Sequence, residues 1–222
     1  SPLGAPGPPG APDVLAVGKP MVRPAPAPPR PLAEADELAV LLGGAESNVV
    51  THLAALGRRV AWASRVGADP FGDRILTELT GRGVDCSAVI RAPGERTGLY
   101  AKDPAPGGTT VHYYRAGSAA SRMSPEFVRG LAALEPRVVH VSGITAALSA
   151  DCRAALRAIV VDRALGPATV SFDVNYRPGL WSVPEAARPG QRSPTLRPGL
   201  ELELPPPAAG PAQSAPPVSG PC

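Results

Sequence analysis

A pair of glycines followed by an asparagine is the part of this sequence best suited to bind a polar ligand. Gly43 and Gly44 precede a run with helical spacing, and Asn48 falls in the first turn of that predicted helix. Because glycine has no Cβ, its backbone can approach a ligand closely, and the asparagine amide can hydrogen-bond a hydroxyl. A plain strand-to-helix turn gives the same short pattern, so both interpretations stay open on these residues alone.

For two arginines and two tyrosines, a structural role and a ligand-binding role both stay open on the residues alone. Arg115 ends the segment HYYR and Arg177 lies in the segment NYRP. A guanidinium group binds a planar carboxylate through two parallel hydrogen bonds. Tyr100 and Tyr114 lie in predicted strands, where amphipathic strand residues are the alternative. For Arg115 the alternative is an ordinary surface charge.

Asp173 and the three histidines give weaker indications of a binding or catalytic site. Asp173 ends a predicted strand, where open α/β sheets bind ligands, but it can equally cap the turn before Asn175. His140 lies in an apolar strand and is interpreted as a core histidine. His52 and His112 have no partner at metal-ligand spacing, so the sequence predicts no metal site.

Charge and cysteine content argue against several classes of protein. The formal net charge of +3 is spread along the chain, which argues against nucleic acid as a partner. No apolar run approaches the roughly 18 residues of a membrane span, and we expect no signal segment at the N-terminus. Because Cys86, Cys152 and Cys222 are odd in number and widely spaced, we expect no disulfide framework and a cytoplasmic location.

Prolines divide the chain into three parts. Eleven of the 30 prolines lie in residues 1–31 and another eleven in residues 182–222, so the middle has an ordinary proline frequency. We expect a disordered lead rich in Pro and Gly over residues 1–12 and one globular region over residues 13–181. The proline-rich tail, residues 182–222, is also expected to be disordered.

Strand and helix patterns alternate through the globular region. This alternation predicts an α/β fold built from right-handed βαβ units with a largely parallel sheet. The segment 20–31 is expected to be a proline-rich loop. The predicted helices are 46–56, 70–81, 125–134 and 149–165; the predicted strands are 13–18, 59–66, 138–142 and 168–173, with 38–42 as a short apolar run and 84–90, 97–102 and 109–115 as a small side sheet or lid.

The order of the motifs resembles one known family. The pattern Gly43-Gly44-x-x-x-Asn48, with Gly57, Gly67 and then RVGADPFGDRIL, resembles the phosphofructokinase-B type (ribokinase-like) sugar kinases. Later segments are similar to the 2-keto-3-deoxygluconate kinase branch of that family. These are TGLY (97–100), HYYRAGSAAS (112–121), VHVSGI (139–144) and FDVNYRPGLW (172–181).

The resemblance covers residues 13–181 and implies a fold. That fold is a ribokinase-like three-layer α/β sandwich with a mainly parallel sheet and a small β lid. The lid strands are expected at about 36–44 and 84–115, and the resemblance ends after the NYRP segment.

The resemblance also implies ligands and their residues. The activity is ATP-dependent phosphorylation of a keto-deoxy sugar acid, with ATP and Mg²⁺ as cofactors. A homodimer through the lid strands is a further implication; nucleic acid and membrane are not expected as partners. The implied sugar-binding residues are Gly43, Gly44, Asn48, Tyr100, Tyr114, Arg115 and Arg177, and the implied nucleotide-binding residues are Asn175 and Arg177.

One family motif is missing from this sequence. In the family, a C-terminal Gly-Ala-Gly-Asp stretch supplies the catalytic base and the N–H groups that bind developing phosphate charge. No such stretch occurs in these 222 residues. We therefore expect the kinase domain to be truncated after the NYRP segment, with no catalytic residue in the chain and negligible kinase activity.

Three residues near the glycine pair also depart from the family. Lys19 stands where this branch usually has an acidic residue, and Arg23 and Val50 are unusual at their positions. Two other functions remain open: a non-catalytic module that binds a sugar acid or a protein partner, and a kinase of a sister sugar such as fructose or ribose.

Overall fold

The computed structural model describes Pro8 and residues 10–175. Its strands are β1 (Val14–Val17), β2 (Met21–Pro26), β3 (Leu38–Gly43), β4 (Val60–Gly67), β5 (Val89–Ala92), β6 (Leu99–Ala105), β7 (Gly108–Tyr114), β8 (Val138–Ser142) and β9 (Thr169–Asp173). Its α-helices are α1 (Ala45–Ala55), α2 (Pro70–Gly81), α3 (Pro125–Gly130), α4 (Gly143–Ala146) and α5 (Ala150–Val160), with short 3₁₀ turns at Leu32–Glu34, Ala119–Arg122 and Ala132–Leu134.

The main sheet is parallel, as the βαβ pattern predicts. Within the described residues it has five strands in the order β5-β4-β1-β8-β9. The central strand β1 pairs with both neighbours, with Val14 opposite Val60 on one side and Val138 on the other. Short apolar runs such as VLAV form strands of this kind because both faces of a parallel sheet are covered.

Apolar residues pack on both faces of this sheet and make three layers. Successive side chains of a strand point to opposite faces. Leu15 and Val17 pack in the cluster that includes Ile159 of α5, whereas Ala16 packs in the cluster that includes Val50 of α1. The predicted α/β fold with helices on both faces is therefore confirmed.

A second, smaller sheet has the order β3-β2-β6-β7 within the described residues. The predicted strands 97–102 and 109–115 correspond to β6 and β7, which pair antiparallel with Tyr100 opposite Tyr113. We call this second sheet the lid sheet. Its strand β3 ends at Gly43, directly before α1.

The prediction of a loop over residues 20–31 was wrong for residues 21–26, which form β2. Pro24 and Pro26 lack an N–H group, which argues against a strand. N–H groups two residues apart point to the same side, and Val22 N–H donates to Gly98 O of the β6 side at 3.1 Å. Pro24 and Pro26 therefore face β6, with which β2 is paired only at Val22. Their missing N–H groups leave the pairing of β2 with β3 complete from Met21 to Pro26.

The assignment of the predicted strand 84–90 to the lid was also wrong. Strand β5 pairs parallel with β4 in the main sheet, with Ser64 opposite Val89. A right-handed crossover through α2 returns the chain to the sheet that it left. A short apolar run carries no information about which sheet it will join.

Two predicted helices end earlier than their patterns indicate. The segment 125–134 splits into α3 and a 3₁₀ turn, and α5 ends at Val160 rather than near residue 165. Arg163, shortly after α5, has a φ of +54°, a left-handed conformation that does not continue a helix. Among the described helices, none combines the length and apolar character of a membrane span.

The N-terminus of α2 agrees with its prediction because its signals are local. The Asp69 carboxylate accepts a hydrogen bond from Gly72 N at 2.8 Å and a second from Thr97 N at 2.8 Å. Although burial raises the pKa of Asp69, these backbone N–H groups hold it below the ordinary value of 3.8. Asp69 therefore both caps α2 and joins it to the segment before β6.

We predict that Asp69→Ala lowers the free energy of unfolding by about 1–2 kcal/mol, since it removes a helix cap. Because the folded-state pKa is depressed, the stabilisation is present above pH 3.8 and is lost as the pH falls through the folded value. Denaturant unfolding between pH 3 and 7 measures both effects. Asp151→Ala, which removes an exposed first-turn carboxylate of α5, is the matched control. An equal loss in both variants would contradict the capping role.

Candidate functional site

The candidate site lies at the carboxyl edge of the main sheet, where open α/β sheets bind ligands. Gly18 and Lys19 follow β1 at this edge, Ser142 ends β8, and Asp173 ends β9. Helix α1 begins above the same edge, directly after the lid strand β3. Residues of the main sheet, α1 and the lid sheet therefore meet here.

Gly43 and Gly44 are glycines because protein atoms approach them closely. A Cβ at Gly43 would lie 2.5 Å from Tyr100 Oη and 2.8 Å from Tyr100 Cε1, so the tyrosine ring rests directly on this backbone. A Cβ at Gly44 would lie 2.9 Å from the carbonyl oxygen of Lys19. The glycine pair thus brings the start of α1 against both the lid sheet and the segment after β1.

Asn48 lies in the first turns of α1. Its backbone N–H donates to Gly44 O at 3.1 Å, which belongs to the helix itself. Its side chain is exposed. The amide is thus accessible to a ligand from solvent.

The structure brings Tyr100, Tyr113 and Arg115 together. Residues 100 and 113 are paired across β6 and β7, and their ring centroids are 5.9 Å apart. The Arg115 guanidinium carbon lies 4.1 Å from the centre of the Tyr113 ring, a cation–π contact. Burial lowers the pKa of Arg115.

Tyr114 is not part of this group. Adjacent strand residues point to opposite faces, so Tyr114 lies on the other face of the lid sheet from Tyr100 and Tyr113. Its side chain is 61% exposed. The sequence HYYR does not reveal this difference, because only the register of β7 against β6 decides which of the two tyrosines shares a face with Tyr100.

A buried carboxyl group, Glu46, joins three elements at this edge and was not singled out from the sequence. It lies in the first turn of α1 and is 0% exposed. Its Oε1 accepts hydrogen bonds from Ser142 Oγ at 2.5 Å and from Thr145 Oγ1 at 2.8 Å. Burial raises the pKa of Glu46, and the two hydroxyl donors partly oppose this effect.

Lys19 is buried beside Glu46. The side chain is 2% exposed, and its Nζ has no hydrogen-bond partner among the described residues. Burial, and to a lesser extent the charge of Arg115, lower the pKa of Lys19 to about 7, while the charge of Glu46 opposes this shift. The sequence marked Lys19 only as a departure from the family, since burial of a lysine has no local signal.

Asp173 and Asn175 form the turn that the sequence offered as one alternative. Asn175 N donates to Asp173 Oδ1 at 2.9 Å, and Asn175 has a φ of +42°, a conformation that asparagine tolerates. Arg177 lies outside the described residues. His140 is 7% exposed, with Nδ1 3.1 Å from Ser171 Oγ, which agrees with a core histidine.

The described residues supply few of the groups that bind ATP and Mg²⁺, the cofactors implied by the family resemblance. A triphosphate needs several N–H donors or cations, and of the residues implied for the nucleotide, the structure describes only Asn175. Over Pro8 and residues 10–175, no group of three or more His, Cys, Asp and Glu side chains is placed to hold a metal. The described residues alone therefore do not form a site for the nucleotide or its metal.

Comparison with known proteins identifies relatives of this arrangement. The chain is 37% identical over 179 residues to a 2-dehydro-3-deoxygluconokinase of Thermoproteus tenax, covering 79% of this chain and 54% of that protein. It is 44% identical over 143 residues to a 2-dehydro-3-deoxygluconokinase of Bacillus subtilis, covering 63% of this chain and 44% of the relative. The chain thus spans about half the length of these curated relatives.

Solved structures agree with the fold. A PfkB protein from Polaromonas superposes with a TM-score of 0.71 at 38% identity, covering 79% of this chain and 60% of that one. A sugar kinase from Pyrococcus horikoshii in complex with ATP shares the fold, with a TM-score of 0.63 at 22% identity, covering 74% of this chain and 53% of that one.

The family model described as pfkB family carbohydrate kinase matches residues 11–195. This range includes the main sheet, the lid sheet and the glycine pair that joins them. The chain therefore belongs to the pfkB family of carbohydrate kinases.

Proposed function

We propose that this chain is the sugar-binding part of a kinase that phosphorylates a hydroxyl of a keto-deoxy sugar acid such as 2-keto-3-deoxygluconate, at the expense of ATP. The observation that supports this most is Arg115. Its guanidinium is stacked on Tyr113, and Nη1 is buried with no hydrogen-bond partner among the described residues. The curated relatives are named for the same sugar acid, also called 2-dehydro-3-deoxygluconate.

A carboxylate is the ligand group that suits Arg115. A buried cationic donor without a partner is unfavourable, and a carboxylate supplies both charge and acceptors. The sugar acid carries such a group at one end. Fructose and ribose are neutral and offer Arg115 no counter-charge, so we rank these sister sugars below a sugar acid.

Hydroxyl groups of the sugar would be bound by Asn48 and Tyr100. The Asn48 amide is exposed at the start of α1, and Tyr100 lies over Gly43 at the lid side of the site. Contacts of the substrate with Gly43, Gly44, Tyr114 and Arg177, and of the nucleotide with Asn175 and Arg177, remain proposals from the family resemblance.

Phosphoryl transfer needs more than these residues provide. We propose that the 222-residue chain by itself has negligible kinase activity, because its sequence has no Gly-Ala-Gly-Asp stretch to supply the base and the phosphate-binding N–H groups. ATP and Mg²⁺ are the cofactors that the family resemblance supports. A non-catalytic sugar-acid-binding module is therefore the second candidate function, and a cytoplasmic location is proposed for both.

A homodimer through the lid sheet also remains a proposal. Leu38 of β3 and Tyr114 of β7 lie on the same face of the lid sheet and are 45% and 61% exposed. Large exposed apolar side chains of this kind are common in interfaces between copies of a chain. Light scattering at increasing concentration would detect the dimer, and Leu38→Lys is expected to shift it towards monomer.

We predict that the purified chain binds 2-keto-3-deoxygluconate without ATP and that Arg115→Ala weakens this binding by roughly ten- to a hundredfold. The range follows from a charge-assisted hydrogen bond of about 1.5–3 kcal/mol. Isothermal titration calorimetry measures the affinity. Arg129→Ala is the control, because Arg129 is an exposed arginine paired with Glu126 at 2.8 Å. Equal affinity of wild type and Arg115→Ala would refute the carboxylate-binding role.

A coupled assay for ADP release tests the catalytic half of the proposal. We expect no sugar-dependent ATP consumption by the chain, since the base and the phosphate cradle are missing from its sequence. Sugar-dependent ADP release above the no-sugar blank would contradict this prediction. Binding of the sugar acid without ADP release favours the non-catalytic binding module. If the chain neither binds the sugar acid nor releases ADP, and its near-UV circular dichroism signal is lost, the chain does not form the site.

We predict that Gly43→Ala weakens sugar-acid binding while the fold persists. The new methyl group would lie 2.5 Å from Tyr100 Oη, so the ring must move away from the site. Gly81→Ala is the matched control, because a Cβ there meets nothing within 4 Å. Calorimetry gives the affinity and thermal melting the stability. Unchanged affinity in Gly43→Ala would show that the position of Tyr100 does not matter for binding.

A further inference from the structure

Lys19 is an unusual lysine for its surroundings. The chain has two lysines, Lys19 and Lys102. Lys19 is 2% exposed, whereas Lys102 is a half-buried residue of the lid strand β6. Lysine is rarely buried unless its ammonium group is paired with an anion.

No such pairing is present among the described residues. Lys19 Nζ has no hydrogen-bond partner there, and no carboxylate of the described chain lies within ion-pair distance of it. The charge of Glu46 acts on Lys19, but its Oε1 accepts hydrogen bonds from Ser142 and Thr145, and its Oε2 has no hydrogen-bond partner among the described residues, Lys19 included. The geometry therefore does not make Lys19 the salt-bridge partner of Glu46.

Arg115 is the other charged group beside Lys19. The two cations are close enough for Arg115 to depress the pKa of Lys19, and Arg115 Nη1 is also without a hydrogen-bond partner in the described part of the chain. Lys19 Nζ and Arg115 Nη1 are thus two buried cationic donors without a hydrogen-bond partner among the described residues, and such a pair is complementary to a carboxylate.

We propose that Lys19 binds the carboxylate of the sugar acid together with Arg115, and that it takes up a proton when the sugar acid binds. This proposal rests on the proposed function and adds a residue that the family pattern does not contain. The Nζ atom is enclosed in the chain without ligand, so a neighbouring side chain must move for contact. Arg115, the second donor, is stacked on Tyr113 and is only partly buried, so a ligand can reach it.

Proton uptake follows from the environment of Lys19. Its pKa is about 7, so above neutral pH most molecules carry an uncharged amine at this position. A bound carboxylate favours the ammonium form and raises the pKa. The other groups that face Lys19 are Glu46 from α1, Arg115 after β7 and Cys152 from α5. Burial raises the pKa of Cys152, so its thiol stays protonated at pH 8.

Calorimetry of the full chain with 2-keto-3-deoxygluconate at pH 8 tests this. The titration is repeated in phosphate, HEPES and Tris, whose ionisation enthalpies differ, so the slope of the observed enthalpy gives the number of protons exchanged. We expect uptake of about one proton per sugar acid bound. This wild-type count requires no variant, so it holds even if a substitution at Lys19 unfolds the chain.

Three variants assign the proton to Lys19. Lys19→Met should weaken binding at least roughly tenfold and abolish uptake, since a hydrogen bond to a charged group is lost. Lys19→Arg, whose charge is permanent, should keep most of the affinity but show no uptake. Lys102→Met should behave like wild type. A merely structural role of Lys19 would not separate affinity from proton uptake in this way.

The outcomes distinguish the two proposals. Tight binding by wild type without proton uptake, or unchanged affinity in Lys19→Met, overturns the role of Lys19 and leaves the sugar-acid site in place. Absence of binding by folded wild-type chain overturns the proposed function and this inference with it. Uptake that persists in Lys19→Met would place the proton elsewhere and also refutes the inference.

Discussion

The carboxyl group of Glu46 is the constraint on which the candidate site depends. It is completely buried and accepts hydrogen bonds from Ser142 at the end of β8 and from Thr145 in α4. A buried polar group without partners would cost free energy, so these contacts require α1 to start at this point of the sheet edge. The position of the glycine pair and of Asn48 follows from that attachment.

Glycines make this attachment geometrically feasible. A Cβ at Gly18 would overlap the Glu46 side chain, and a Cβ at Gly44 would crowd the Lys19 backbone. At Gly43 the neighbour is Tyr100 of the lid sheet. The main sheet, α1 and the lid sheet are thus in direct contact through positions without side chains. A ligand at this edge would therefore touch residues from all three at once.

The same close packing concentrates buried charge. Lys19 is buried and Arg115, stacked on Tyr113 of the lid sheet, is partly buried, and burial lowers the pKa of each. Glu46 offsets only part of this effect on Lys19. A sugar acid would supply the missing negative charge, whereas a neutral sugar would not. Electrostatics therefore favours an acidic ligand at a site whose fold is shared by pfkB kinases in general.

Sequence alone determined the features that depend on neighbouring residues: the start of α2 at Asp69 and Pro70, the apolar strands of the parallel sheet, and the family motif around Gly43 and Gly44. Caps, turns and periodicity act over a few positions, so they can be read without a fold. Only the tertiary structure decided which sheet β5 joins, that β2 is a strand, and which of the tyrosines 113 and 114 shares a face with Tyr100. It also revealed the buried contact of Glu46 with Ser142, which are 96 residues apart. Pairing, register and burial depend on segments that are distant along the chain, and no local pattern specifies them.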